Sequence, residues 1–257
     1  METARALELA LELADRADSI TMARFRAHDL KVETKPDLTP VSEADQAVER
    51  AIRARLGEVT GHVVLGEEFG TATSDDDSEY RWIIDPIDGT KSYVRGVPIW
   101  ATLIGLERAG KIVVGVASAP ALGMRWWAGR GLGAFRDGDR LQVSSVAALD
   151  DAQISFAWDT AARFHAGGIG PKLVDLSHRC WRTRGIGDFW QHLLVAEGAF
   201  DVAIDPIVSL WDIAALIPIV EEAGGRWSAL DGRDDLDATS FVCTNGRVHD
   251  AVLASLA

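Results

Sequence analysis

Trp82-Ile83-Ile84-Asp85-Pro86-Ile87-Asp88-Gly89-Thr90 is the stretch on which the reading of this sequence turns. An apolar run ends abruptly in two carboxylates, a glycine and a hydroxyl, as a strand does when it delivers polar groups at its end. Two carboxylates three residues apart on a turn can converge on one cation, and the Ile87 carbonyl between them can add a third oxygen. If a helix begins after Gly89, the N–H groups of Gly89 and Thr90 point outward and can take phosphate oxygens. The plainer alternative makes Asp85-Pro86 and Asp88-Gly89 turn formers and Thr90 a helix cap.

Working outward, the strand-like run His62 to Leu65 leads into Gly66-Glu67-Glu68, which could bring a carboxylate to the same sheet edge or form a solvated acidic loop. Downstream, Ala101 to Leu106 and Lys111 to Ala117 read as strands joined by a hairpin at Ala109-Gly110, and Gly-rich hairpins occupy Arg125 to Val143. Upstream, Leu7, Ala10, Leu11, Ala14 and Ala17 recur at helical spacing. After a break at Lys35-Pro36-Asp37, a second helix carries Ala44, Val48, Ala51, Ile52 and Leu56. Both helices are expected to lie against a sheet.

From about residue 150 short strands alternate with helices: Ile154 to Ala157, a helix near Phe189 to Glu197, and Asp201 to Ile204. A long helix after Trp211 is expected to stop at Gly224-Gly225, with strands near Arg226 to Ala229 and Phe241 to Thr244. The expectation is two sheet layers with helices between and outside them. An α+β half over residues 1–145 would carry the acidic motifs, and an α/β half over 146–257 would complete the site.

The 257 residues, 47% apolar and 25% charged, have the balance of a globular protein, and no apolar run approaches the roughly 20 residues of a membrane span. A net charge of −13 without a local Lys/Arg cluster argues against nucleic-acid binding, and a bound phosphate would need divalent cations to neutralise the carboxylates. Cys180 and Cys243 fit no metal or redox spacing and read as two reduced thiols, consistent with the cytoplasm. The six histidines form no ligand set, so oxygen-bound metal is expected rather than zinc.

Ser209-Leu210-Trp211-Asp212 and Ser42-Glu43-Ala44-Asp45 both have capping-box spacing. Each aspartate is therefore either a cap or a polar residue aimed into a site.

In combination these segments resemble the inositol-monophosphatase-like magnesium phosphatases over nearly the whole chain. The carriers are Gly66-Glu67-Glu68, Asp85-Pro-Ile-Asp88-Gly-Thr90 and Trp211-Asp212-Ile-Ala-Ala215, in that order, with Lys35 and Asp45 upstream and Gly224-Gly225 closing the last motif. The resemblance implies a five-layered αβαβα sandwich of the α/β (α+β) class, usually a homodimer, acting on a small phosphate monoester. It implies two to three magnesium ions: one on Glu67, Asp85 and the carbonyl of Ile87, a second on Asp85, Asp88 and Asp212, and a weaker third helped by Glu67. It also implies Thr90, hydrogen-bonded to Asp45, as the residue that orients the attacking water in a direct in-line hydrolysis.

Within the family the chain is most similar to histidinol-phosphate phosphatases of actinobacterial type. The strings are Lys35-Pro-Asp-Leu-Thr-Pro-Val41, Gly66-Glu-Glu-Phe-Gly70, Tyr93-Val-Arg-Gly-Val-Pro-Ile-Trp100 and Gly187-Asp188-Phe-Trp190. Tyr93 stands where near relatives often have Phe, and Asp205 where they often have Glu. Alignment on Trp211-Asp212 puts Asp188 and Asp205 at positions facing the substrate's organic part, where carboxylates favour a cationic ester over inositol phosphate. Capping the helix Phe189 to Glu197 is the alternative for Asp188. Trp190 either flanks an imidazole or packs in the core or at the surface, and Glu197 reads as structural or peripheral. A broader inositol-1-phosphate or sugar-phosphate phosphatase, and an idle metal- or phosphate-binding protein, are the other readings.

Overall fold

The computed structural model describes residues 1–36, 38–71, 79–157 and 168–257. Among these, eight strands form one sheet in the spatial order Asp139–Arg140, Gly133–Arg136, Met124–Gly129, Lys111–Ala119, Ala101–Arg108, Tyr80–Asp88, Val63–Gly66, Gly70–Thr71. Only Val63–Gly66 and Tyr80–Asp88 run parallel. A second sheet orders Arg182–Arg184, Gln153–Phe156, Val202–Asp205, Phe241–Thr244 and Arg226–Ser228, the first three parallel.

Side-chain alternation builds the layers. Trp82 and Ile84 face the outer helices Thr3–Arg24 and Glu43–Val59, whereas Ile83 faces the middle. Ala203, Phe241 and Cys243 face the same middle layer, while Val202, Ile204 and Val242 pack under the helices Ile169–His178 and His249–Leu256. Between the sheets lie Asp188–Ala196, Leu210–Ile213 and Leu216–Glu222. The result is the five-layered sandwich. No helix among the described residues is long and apolar enough to cross a membrane.

Several expectations shift in detail. On the first helix the buried stripe is Ala6, Ala10, Leu13, Ala14, Ala17 and Thr21; Leu7 and Leu11 flank it half-buried. The helix after Trp211 is interrupted, because Pro218 has no N–H to give the Ala214 carbonyl, although Ala214 and Ala215 keep helical dihedrals. The strand expected to stop at Ile84 pairs on to Asp88 through an irregularity between Asp85 and Asp88. Pro86, which cannot donate to the ladder, falls inside that bulge, and its carbonyl is held by Thr102 Oγ1 at 2.8 Å. The segment around Trp158 to Gly170, which carried none of the resemblance, lies largely outside the described residues.

The middle layer presses closely onto the first sheet. Gly105 and Gly115 are register partners, and a Cβ on Gly115 would lie 2.0 Å from the Ala215 carbonyl oxygen. Two glycines below and two alanines above let the Asp212 segment reach the end of the central strand.

Candidate active site

Three elements deliver three carboxylates to one point. Asp85 and Asp88 come from the bulged strand end and Asp212 from the first turn of Leu210–Ile213; one oxygen of each lies within 4.8 Å of the others. Each carboxylate is also anchored by a backbone amide. Ile87 N–H donates to Asp85 Oδ1 at 3.0 Å, Phe189 N–H to Asp88 Oδ2 at 2.7 Å and Ser209 N–H to Asp212 Oδ2 at 2.7 Å. The Phe189 amide is at the start of Asp188–Ala196, so Asp88 also meets the positive end of that helix. Asp212 thus accepts the Ser209 amide, as a cap would, and also lines the cavity beside the other carboxylates.

Burial first, then the Glu67, Asp88 and Asp212 charges, hold Asp85 well above the carboxylate range. Asp88 is raised by burial and by Asp188, Asp212 and Asp205, against the Phe189 amide. A cluster of hard oxygen donors whose charges oppose one another suits a divalent cation such as magnesium and not a nitrogen- or sulfur-preferring metal.

Glu67 lines the same cavity and is in hydrogen-bonding contact with Asp85. Its Oε1 and Glu68 Oε1 each take the Lys35 ammonium at 2.7 Å. Burial works against that ammonium, but the two carboxylates outweigh it and hold Lys35 above the ordinary lysine range. Glu68, buried beside Lys35 and near Glu67, is pushed up to about 7. Beneath this loop is a residue the sequence reading missed. Glu49 is fully buried; its carboxylate accepts Glu68 N–H at 2.8 Å, Phe69 N–H at 3.3 Å and Arg53 Nε at 2.8 Å. A Cβ on Gly66 would sit 2.0 Å from Glu49 Oε1, which explains the glycine of Gly66-Glu67-Glu68.

Gly89, at φ 81°, turns the chain into the short helix Thr90–Val94, and a Cβ there would come 3.0 Å from the Ile99 carbonyl oxygen. Thr90 Oγ1 lies 2.9 Å from Ile87 O and 3.3 Å from Asp45 Oδ1. Its one hydrogen serves one acceptor at a time, and the shorter contact goes to Ile87. Asp45 is fully buried, and its Oδ2 accepts Ser42 N–H at 2.8 Å and Ser42 Oγ–H at 2.5 Å. Burial, against those bonds and reinforced by the Glu67 charge, pushes it up to about 6.

Asp188 and Asp205 line the cavity with Gly89, Thr90 and the acidic cluster. Asp188 is not the cap of its helix: Gly187 holds that place, and Asp188 is the first helical residue at φ +49°. A non-glycine in that conformation is strained, and its Oδ2 lies 3.3 Å from where a Gly89 Cβ would be. Asp205 Oδ2 is 2.7 Å from Nε2 of buried His192, a second cavity residue the sequence reading missed. Trp190 packs half-buried against the central core, and Glu197 binds Trp126 Nε1 and Arg136, both at 2.7 Å.

With this geometry in place, relatives are informative. The model of the inositol monophosphatase family matches residues 2–257. The chain is 52% identical over 256 residues to a histidinol-phosphatase of Mycobacterium tuberculosis, covering 97% of each. It is 50% identical to one of Streptomyces coelicolor, covering 97% of this chain and 96% of that protein. Among solved structures, the extragenic suppressor protein suhB of Bartonella henselae superposes with a TM-score of 0.90 at 28% identity, covering 98% of both chains. A match from end to end, on a fold that brings all three acidic motifs to one cavity, means that the chain belongs to the inositol monophosphatase family.

Proposed function

We propose that this protein hydrolyses histidinol phosphate to histidinol and inorganic phosphate, using two to three magnesium ions per active site. The observation that carries the reading is a cavity in which the Asp85, Asp88 and Asp212 cluster faces two further carboxylates, Asp188 and Asp205. A neutral sugar or inositol body offers those two only hydroxyl donors, whereas histidinol carries an ammonium and a protonatable imidazole that can bind them with charge assistance. The two actinobacterial relatives named histidinol-phosphatase support the same substrate.

Glu67, Asp85 and the Ile87 carbonyl would hold one ion, Asp85, Asp88 and Asp212 a second, with Glu67 helping a weaker third. Magnesium supplies neutralisation of the phosphate and a more acidic water. The remaining work falls to the chain. Turning its hydrogen to Asp45, Thr90 Oγ1 accepts a hydrogen bond from the attacking water and aims it at phosphorus, opposite the leaving oxygen. Asp45, held near 6, can take up the proton. The Gly89 and Thr90 amides, with Asp88 beside them, orient the phosphate oxygens. The water oxygen ends on phosphorus as the ester P–O bond breaks, and the leaving alkoxide takes up a proton from solvent water to depart as histidinol, with no covalent enzyme intermediate. Family resemblance supports a homodimer, and the two free thiols support the cytoplasm.

The test compares rates on histidinol phosphate, inositol 1-phosphate and fructose 1,6-bisphosphate, each with and without magnesium. Preference for histidinol phosphate is expected. A faster reaction with inositol 1-phosphate rejects the substrate, and no turnover on any ester rejects catalysis.

A further inference from the structure

We infer that His192 is a positioning residue for substrate selection: from beneath the cavity its Nε2–H locks Asp205 in one orientation toward the substrate. The inference rests on the proposed role of Asp205 toward a cationic ester and assigns the residue that makes the role possible.

His192 lies in the second turn of Asp188–Ala196 with its side chain 1% exposed, whereas Asp205, at the end of Val202–Asp205, is 19% exposed and opens to the cavity. The 2.7 Å contact between His192 Nε2 and Asp205 Oδ2 joins the two. A carboxylate accepts, so Nε2 must carry the hydrogen. Gln191 Nε2, 3.5 Å from the same ring nitrogen, would need it as an acceptor, and that contact is at the limit of a hydrogen bond. Gln191 is held elsewhere, its Oε1 by Ser155 Oγ at 2.8 Å. The ring itself stands edge-on to Phe241 with centroids 4.7 Å apart, and Phe241 is the cross-strand partner of Asp205. Ring and carboxylate are therefore fixed from two sides.

The other ring nitrogen agrees with that placement of the hydrogen. His192 Nδ1 is buried with no hydrogen-bond partner among the described residues. Without a hydrogen it is an unused lone pair; with one it would be an unpaired buried N–H, a costlier arrangement. The geometry therefore favours a ring whose hydrogen sits on Nε2, facing Asp205. An Arg or Lys in its place would also orient Asp205 but would cancel the charge that attracts an organic cation. Donation to Oδ2 leaves Oδ1 free to receive an ammonium or imidazolium N–H with charge assistance. This also explains why a histidine sits in a helix whose other buried residues are Phe189, Gln191, Leu193, Val195 and Ala196.

The test uses the full-length protein with magnesium and measures kcat and KM on histidinol phosphate and glycerol phosphate, an ester with a neutral body. His192→Phe keeps the aromatic packing and loses the donor; His192→Gln keeps a donor; Asp205→Asn removes the charge itself. We expect His192→Phe to lower the ratio of kcat/KM for histidinol phosphate over glycerol phosphate by about ten-fold, chiefly through KM. His192→Gln should recover most of that ratio. Imidazole nitrogen shifts of the wild-type protein should show the hydrogen on Nε2, the nitrogen that faces Asp205. If His192→Phe does not fold, His192→Asn, too short to reach Asp205, takes its place with the same expected loss. Equal losses on both esters, or an unchanged ratio while Asp205→Asn loses selectivity, overturn the role of His192 alone. An unchanged ratio in Asp205→Asn overturns that role together with the proposed recognition of the cationic body.

Discussion

Adding one methyl group at Gly115 tests whether the close approach of sheet and helix is what assembles the acidic cluster. A Cβ there would lie 2.0 Å from the Ala215 carbonyl oxygen and 2.7 Å from Pro218 Cγ. Ordinary contact begins near 3.4 Å, so the Ala215 segment must retreat by about 1.4 Å. Gly115 has no positive φ, so the backbone bears no strain of its own and the effect isolates the contact. Overpacking of this kind costs about 1–3 kcal/mol. Asp212 lies three residues from Ala215, and a displacement of about 1 Å at a catalytic group can cost about a hundred-fold in rate. We therefore expect Gly115→Ala to lose about 2–3 kcal/mol in urea denaturation and to need far more magnesium for half-maximal turnover. Gly105→Ala, whose Cβ would meet Ala214 Cβ at 3.0 Å, should show a smaller effect of the same sign. Wild-type stability and wild-type magnesium dependence in Gly115→Ala would refute the reasoning.

Asp85→Asn should lower turnover by about three orders of magnitude at saturating magnesium, since it removes a carboxylate proposed to serve two ions. Burial and neighbouring charges raise Asp85, so at neutral pH its ionised form destabilises the cation-free fold; the variant's urea midpoint in EDTA should equal or exceed that of the wild type. Thr90→Ala should lower kcat much more than it changes KM; a change in KM alone in initial-rate kinetics would make Thr90 a phosphate clamp. His249, fully buried between Ser228 and Thr244, is held by burial at about 4. The unfolded chain binds that proton near 6.5, so stability present above pH 6.5 falls by about 3 kcal/mol as the pH drops to 4. His249→Gln should remove that part of the slope in urea titrations at pH 7 and 4.5, and an unchanged slope would exclude His249 as its source.

What could be read in the sequence, and what could not, divides on whether a function is carried by neighbours in the chain. The acidic motifs are the short strings 66–68, 85–90 and 209–212, each beside an apolar run, and alternation in runs such as Val202 to Asp205 is enough to assign faces. Glu49 was illegible because, four residues before Arg53, it reads as an exposed helix pair; the structure turns the same pair under Gly66. The available signal was position, since Glu49 lies between Val48 and Ile52 on the buried face. Gln191-His192 is a polar pair within the apolar run Phe189 to Ala196, again a mark of a buried polar network rather than of its purpose. The alanines of Trp211-Asp212-Ile-Ala-Ala215 carried the family resemblance. Their physical reason, a glycine pair on the facing strands, is a tertiary fact that no spacing expresses.

The anchoring of the site carboxylates follows one rule, and the rule has an energetic consequence. Asp45, Asp85, Asp88 and Asp212 each give an oxygen to a backbone amide, and Asp205 gives one to His192. The backbone amides among these donors carry no net charge, so they orient the carboxylates without pairing them with a cation. Cationic side chains would have anchored them more strongly, and Lys35 does so for Glu67 and Glu68 at the cavity's edge. At the centre such pairing would remove the field that draws in a divalent cation. The protein therefore holds its central carboxylates in mutual repulsion, with Asp85 and Asp88 raised in consequence, and leaves the compensating charge to be supplied by what binds. Because N–H donors fix each oxygen beforehand, little reorganisation remains when that charge arrives. Under the proposed function, the same arrangement at Asp205 would extend the principle from the inorganic cation to an organic one.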